Sequence, residues 1–169
     1  DPYGGAFKII KGLSDKYPKQ VFHTPISEAC MVGLAGGLSL GGKRPIVEIM
    51  FGDFLTLAMD QILNHLTKYR SMYNGQVSVP VTIRTPMGGR RGYGPTHSQT
   101  LDKHFLGIPD LTVLAPSYLH PVRKMYSSAG QAENPTLIIE NKASYGKRFH
   151  LDENGMVEDM FISIEGPHE

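Results

Sequence analysis

Glu28 stands at the start of a helix-forming run, directly behind Thr24-Pro25-Ile26-Ser27. Ser27 is a favoured N-cap residue and puts Glu28 in the first turn, where the helix dipole favours a carboxylate. A glutamate held there beside apolar side chains is a candidate general acid–base group. A helix-start carboxylate with no further role is the plainer alternative. The second candidate is His97, in the glycine- and proline-rich stretch from Thr85 to Gln99. A loop of that length inside a compact domain is usually functional or disordered. A histidine in it is a candidate site residue, with a merely solvated histidine as the plain reading. Arg90-Arg91 in the same loop suits contact with an anion or, more plainly, a solvated surface.

The helix behind Glu28 carries a second signal. Gly33, Gly37 and Gly41 recur every four residues and share one face. Each interior helical glycine costs roughly 1 kcal/mol relative to alanine. Three on one stripe predict the close approach of another backbone, and with it self-association through that helix unless an internal helix covers the stripe.

Several chemistries find no support. The chain has no Gly-x-x-x-x-Gly-Lys-Ser/Thr loop and no Gly-x-Gly-x-x-Gly motif after a strand, so no phosphate cradle of its own is expected. The seven histidines show no His-x-x-x-His spacing and there is no Cys-x-x-Cys pair, which leaves no metal site to assign. No nucleophile elbow is present. A formal charge of +1 over 169 residues gives no electrostatic case for nucleic acid or an anionic membrane, and no apolar run reaches the length of a membrane span. A single cysteine, Cys30, excludes an internal disulfide and fits a reducing compartment.

The elements that must position these groups follow in order. Asp1 to Gly12 reads as loop, with Tyr3 and Phe7 as anchors, and Leu13 to Tyr17 as a helical turn. Val21-Phe22 begins a short strand leading to Glu28. The glycine-striped helix breaks at Lys43-Arg44-Pro45, and Ile46 to Met50 is a strand. Asp53 is the expected N-cap of a long helix containing Phe54, Leu57, Ala58, Ile62 and Leu66. Asn74-Gly75 marks a turn, and Val77 to Ile83 is a buried strand. Leu111 to Leu114 is a strand, Pro121 opens a helix with Val122, Met125, Tyr126 and Ala129 on one face, and Thr136 to Glu140 is the last strand. Such alternation predicts an α/β fold, a parallel sheet covered on both faces. Glu28, the Met50 to Phe54 turn and the His97 loop all follow strands, so they are expected to meet at the carboxyl edge of the sheet. Beyond Tyr145 the character changes, and residues 146–169 read as a tail with a hairpin turn at Asp152-Glu153-Asn154-Gly155.

Six motifs in order carry a resemblance: Thr24-Pro25-Ile26-Ser27-Glu28, Arg44 to Met50, Asp53-Phe54, Asp60-Gln61, Arg84 to Gly89 and Gly94-Pro95-Thr96-His97-Ser98-Gln99. Together they resemble the beta subunit of the first component of 2-oxoacid dehydrogenase complexes, the group of pyruvate, branched-chain 2-oxoacid and acetoin dehydrogenases. The resemblance covers residues 1–145 and corresponds to the transketolase-like pyrimidine-binding domain, a three-layer α/β fold and one half of a thiamine diphosphate site.

The resemblance implies that Glu28 hydrogen-bonds the aminopyrimidine ring and promotes its imino tautomer. It implies that Ile26, Met50 and Phe54 line the pyrimidine pocket, with Phe54 stacking on the ring, and that His97 faces the substrate and an incoming lipoyl group. The diphosphate and its magnesium are expected on a partner alpha subunit, and the acyl product on the lipoyl domain of an acyltransferase. Gly33-Leu34-Ala35-Gly36-Gly37 matches the family's Gly-hydrophobic-x-x-Gly helix contact. The family's second domain is absent from this sequence, so a truncated piece, inactive alone, is expected. A cytoplasmic location is expected, or the mitochondrial matrix in a eukaryote. The alternatives are a transketolase-like or acetoin-cleaving subunit, and a non-catalytic assembly subunit that retains the fold.

Overall fold

The computed structural model describes residues 3–117 and 122–145. The elements in chain order are α1 (Leu13–Lys16), α2 (Glu28–Leu40), β1 (Ile46–Glu48), a 3-10 segment (Gly52–Ala58), a π-helical segment (Gln61–Leu66), α3 (Tyr69–Met72), β2 (Thr82–Met87), β3 (Thr112–Leu114), α4 (Val122–Gln131) and β4 (Thr136–Asn141). The four strands form one parallel sheet in the order β1-β2-β4-β3. The expected tail hairpin lies outside the described residues.

Every residue of β2 is buried, as expected for a strand covered on both faces. Alternate residues point to opposite faces. On one face Met87 reaches Gly52, where a Cβ would lie 2.2 Å from Met87 Cγ. On the other, Arg84 meets Tyr126 of α4. The sheet is therefore the middle of three layers, with α2 and the 52–72 segment on one side and α4 on the other. The core on the first side joins Val32 and Ala35 of α2, Leu55, Ala58, Ile62 and Leu66 of the 52–72 segment, and Val47, Ile49, Ile83 and Leu137 of the sheet.

Three local expectations need correction. Val21-Phe22 is irregular chain, not a strand, so among the described residues no strand leads into Glu28. The buried strand expected at Val77 to Ile83 is displaced towards its carboxyl end, to Thr82–Met87. Pro86 is tolerated there because its backbone faces the β1 side, and pairing with β1 has already ended at Ile49 N–H to Arg84 O. Asp53 does not cap a long helix. Phe51 occupies the N-cap position, the first stretch is 3-10, and the chain widens into a π-helical turn at Gln61–Leu66.

The glycine stripe also differs from expectation. Gly36, not Gly37, is the residue that closes on a neighbour: a Cβ there would lie 2.9 Å from Leu66 Cδ2 and 3.3 Å from Tyr69 Cε2. Gly33 makes room for the Gln61 amide, at 3.1 Å by the same construction. Gly37 faces open space, and Gly41 meets only its own helix. The inner face of α2 runs through Glu28, Val32, Ala35, Gly36 and Ser39, so Gly33 and Gly36 serve contacts inside the chain and Gly37 serves none.

Candidate active site

Ser27 does stand at the N-cap of α2, in an extended conformation, and its carbonyl accepts the first helical hydrogen bond, from Met31 N–H at 2.9 Å. Glu28 follows it into the first turn and is 7% exposed. A carboxylate that buried is unusual on a helix start, and it marks Glu28 as more than a surface residue. α2 packs against the 3-10 segment carrying Phe54. Met50 and Phe54 are half-buried, with Phe54 packed on the core. Ile26, by contrast, is 75% exposed. Of the four candidate cofactor-binding residues, Glu28 is thus buried, Met50 and Phe54 half-buried and Ile26 exposed.

His97 lies on a 3-10 turn (Pro95–His97) in the loop after β2. Its ring meets Phe51 and Phe54 edge to face, with centroids 4.8 and 5.1 Å apart. Its Nδ1 lies 2.9 Å from Thr96 Oγ1. Phe54 and His97, far apart in sequence, are therefore in direct contact at the carboxyl edge of the sheet, as the topology requires.

Phe51 is the centre of this aromatic group. It meets Phe7 at 5.5 Å, Tyr93 at 5.3 Å and Phe54 at 6.1 Å, all edge to face. Phe7 also touches Tyr93 and Tyr145, so the N-terminal loop is anchored here as expected for Phe7. Tyr3 is exposed. Edge-to-face pairs of this kind contribute about 0.5–1.5 kcal/mol beyond the area they bury.

Two buried charges grip the His97 loop. Asp53 Oδ1 accepts from the Gln99 backbone N–H at 3.2 Å and from its side-chain amide at 2.9 Å. Lys142, fully buried, donates from Nζ to the carbonyl of His97. Its ammonium also sits 5.0 Å from the Phe51 ring centroid and 5.6 Å from that of Tyr93. Burial pushes the Lys142 pKa down, and the charge of Asp53 opposes that shift.

Beneath the sheet on the α4 side lies a second cluster. Arg84 pairs with Glu48 at 2.7 Å and with Glu140, and it donates to Tyr126 Oη at 3.2 Å and Tyr145 Oη at 3.0 Å. Both phenols donate to Glu140, at 2.6 and 2.5 Å. Burial works against the Arg84 charge, but Glu140, Tyr145 and Glu48 more than offset it and its pKa is raised. Burial and the bonds to Glu140 raise both tyrosines.

Sequence reasoning named Glu28, Phe54 and His97 as candidates and did not name Phe51, Lys142 or Arg84 among them. No spacing rule links Lys142 to His97. Arg84 inside an apolar strand was the one visible signal, since an unpaired buried arginine is not tolerated.

Among the described residues no group of three or more His, Cys, Asp and Glu side chains is placed to hold a metal ion. A buried carboxylate on a helix packed against the segment that bears half-buried Phe54 is chemically suited to a flat, partly apolar, nitrogen-bearing ring.

A parallel three-layer domain with a buried helix-start glutamate and an aromatic wall defines a class, and the sequence comparison agrees with it. Residues 1–147 match the family model described as transketolase, pyrimidine binding domain, and the chain belongs to that family. Among its relatives is the pyruvate dehydrogenase E1 component subunit beta-1, mitochondrial, of Arabidopsis thaliana. The two are 37% identical over 96% of this chain and 45% of the relative. The pyruvate dehydrogenase E1 component subunit beta of Rickettsia bellii is 38% identical over 90% of this chain and 47% of that protein. The acetoin:2,6-dichlorophenolindophenol oxidoreductase subunit beta of Cupriavidus necator is 37% identical over 86% and 43%. The chain spans a little under half the length of these relatives. A solved structure titled split gene transketolase, inactive beta4 tetramer, shares the fold with a TM-score of 0.61 at 24% identity, over 76% of this chain and 39% of that one. No helix among the described residues is long and apolar enough to cross a membrane.

Proposed function

We propose that this chain supplies the pyrimidine-binding half of a thiamine diphosphate-dependent 2-oxoacid dehydrogenase, completed by an alpha subunit. The observation that carries the reading is Glu28, a carboxylate only 7% exposed at the start of a helix packed on the segment that bears Phe54. When bound, the cofactor supplies the carbon nucleophile that a 2-oxoacid needs in order to lose carbon dioxide. Glu28 holds and exchanges a proton at a ring nitrogen, while Met50, Phe54 and the exposed Ile26 line the ring. His97 faces the substrate and the lipoyl group that receives the acyl unit. The diphosphate and magnesium are held by the alpha subunit, whose approach covers Ile26. A lipoyl domain of an acyltransferase is the acceptor, and the compartment is the cytoplasm, or the mitochondrial matrix in a eukaryote.

Association uses the outer face of α2. Leu34, Leu38 and Leu40 are exposed there around Gly37, where nothing lies within 4 Å of a built Cβ.

A second reading, a subunit of an acetoin-cleaving enzyme, has the Cupriavidus necator relative in its favour. The two share the role of Glu28 and differ in the acyl substrate. The test is Glu28→Gln in the assembled two-subunit enzyme. Glutamine keeps the size and a hydrogen bond but cannot exchange the proton. The variant is expected to bind thiamine diphosphate and to lose most hydrogen–deuterium exchange at the thiazolium carbon. Exchange at the unaltered rate would leave Glu28 a helix-start carboxylate and the chain a non-catalytic module.

A further inference from the structure

The loop carrying His97 leaves β2 and has no sheet partner of its own. It contains Arg90 at φ +63° and Gly88, Gly92 and Gly94 at positive φ, a backbone with little to hold one shape by itself. Its Gly88 N–H donates to Gln99 O at 3.2 Å and Arg91 donates to the Tyr145 carbonyl at 3.2 Å; two buried charges at other strand ends hold the stretch next to His97. Asp53, 6% exposed and placed just after β1, takes two hydrogen bonds from Gln99 on the same oxygen, Oδ1. Lys142, fully buried and placed just after β4, donates to the carbonyl of His97 itself.

The position of the lysine is unusual. An ammonium without water is costly unless its surroundings compensate it. The compensation here is a carbonyl, the faces of Phe51 and Tyr93, and the charge of Asp53, groups that all belong to the wall around His97. Lysine stems commonly carry their charge out to solvent; Lys142 is instead fully buried and directs its charge to one loop.

We propose that Lys142 is a positioning residue for His97: its buried ammonium, donating to the His97 carbonyl, fixes the His97 backbone so that the imidazole stands against Phe51 and Phe54. Lys142 touches no reacting atom in this scheme and acts through the loop alone. Its consequence for turnover rests on the reading of His97 as substrate-facing, but the geometry does not.

The experiment therefore reads the geometry first. In the full chain, labelled with nitrogen-15 and carbon-13, a scalar coupling between Lys142 Nζ and the His97 carbonyl carbon is expected across the hydrogen bond. Its absence would overturn the proposal without any variant. Next, Lys142→Met keeps the length of the stem and removes the donor. The His97 ring protons, shifted by Phe51 and Phe54, are expected to move towards random-coil values, while the amide signals of β2 and β4 stay in place. Lys142→Arg, which restores a donor and a charge, is expected to return them at least halfway. Ring signals that stay put in Lys142→Met, or that move equally in both variants, would show that stem volume and not the donated proton sets the loop, and would end the proposal. In the enzyme assembled with its alpha subunit, Lys142→Met is expected to lower kcat at least tenfold with cofactor affinity unchanged. If the ring moves and kcat does not, Lys142 still positions His97, and it is the substrate-facing reading of His97 that falls.

Discussion

Loss of Arg84 is costly to the fold. Among the described residues it is the one cation paired with both Glu48 and Glu140, on a side chain 7% exposed, and both tyrosines bond into the same cluster. Removing one partner of a buried pair leaves the other charge uncompensated, at about 3–5 kcal/mol. Arg84→Leu is accordingly expected to lower the unfolding free energy obtained from urea titration by that amount, and a loss below about 1 kcal/mol would show the carboxylates to be neutral in the fold. The same cluster sets an alkaline limit. Tyr126 and Tyr145 have pKa values raised above their ordinary 10.0, by burial first and then by Glu140. Above pH 10 the unfolded chain loses phenolic protons that the folded chain retains, so stability falls as pH rises. Lys142 has the opposite sign. Its folded pKa is lowered from 10.5, so between the two values the unfolded chain binds more protons and stability rises with pH. Denaturant midpoints between pH 8 and 11 are expected to show a smaller alkaline loss in Tyr145→Phe and a steeper one in Lys142→Met.

At the scale of the element, α2 has two faces that substitution can tell apart. Its inner face is filled: bulk at Gly36 meets Leu66 and Tyr69. Overpacking of this kind costs typically 1–3 kcal/mol, and Gly36→Leu is expected to lower thermal stability accordingly. Gly37→Leu adds the same side chain one position on, into open space. There it gains up to roughly 1 kcal/mol of helix propensity and leaves the isolated fold intact, while blocking whatever docks on the outer face. Sedimentation separates the two effects. Self-association is expected to weaken in Gly37→Leu, and an unchanged oligomer would remove the outer face of α2 from the interface.

The whole molecule presents a site finished on one side only. Glu28 is buried, Ile26 is exposed, and among the described residues no acidic or histidine cluster is placed for a metal. The chain alone is therefore expected to show no micromolar, magnesium-dependent binding of thiamine diphosphate by calorimetry. Binding is expected once an alpha subunit is added. Tight binding by the isolated chain would place the diphosphate site here and contradict the division of labour proposed.

The sequence alone settled the alternation of strands and helices, because buried parallel strands must be apolar runs and helices must carry an apolar stripe. It also singled out Glu28, Phe54 and His97, since each sits in a local motif. It misplaced what depends on neighbours distant along the chain. The extent of β2 was decided by where β1 stops pairing, which lets Pro86 into a strand. The role of Asp53 was decided by Gln99, which takes the carboxylate that a helix cap would have used. Which glycine of α2 is packed was decided by the π-helical turn that brings Leu66 over Gly36. Lys142 and Phe51 carry no local signal at all: a buried ammonium and an aromatic hub are defined only by the groups that surround them, and those groups come from three separate strand ends and the N-terminal loop.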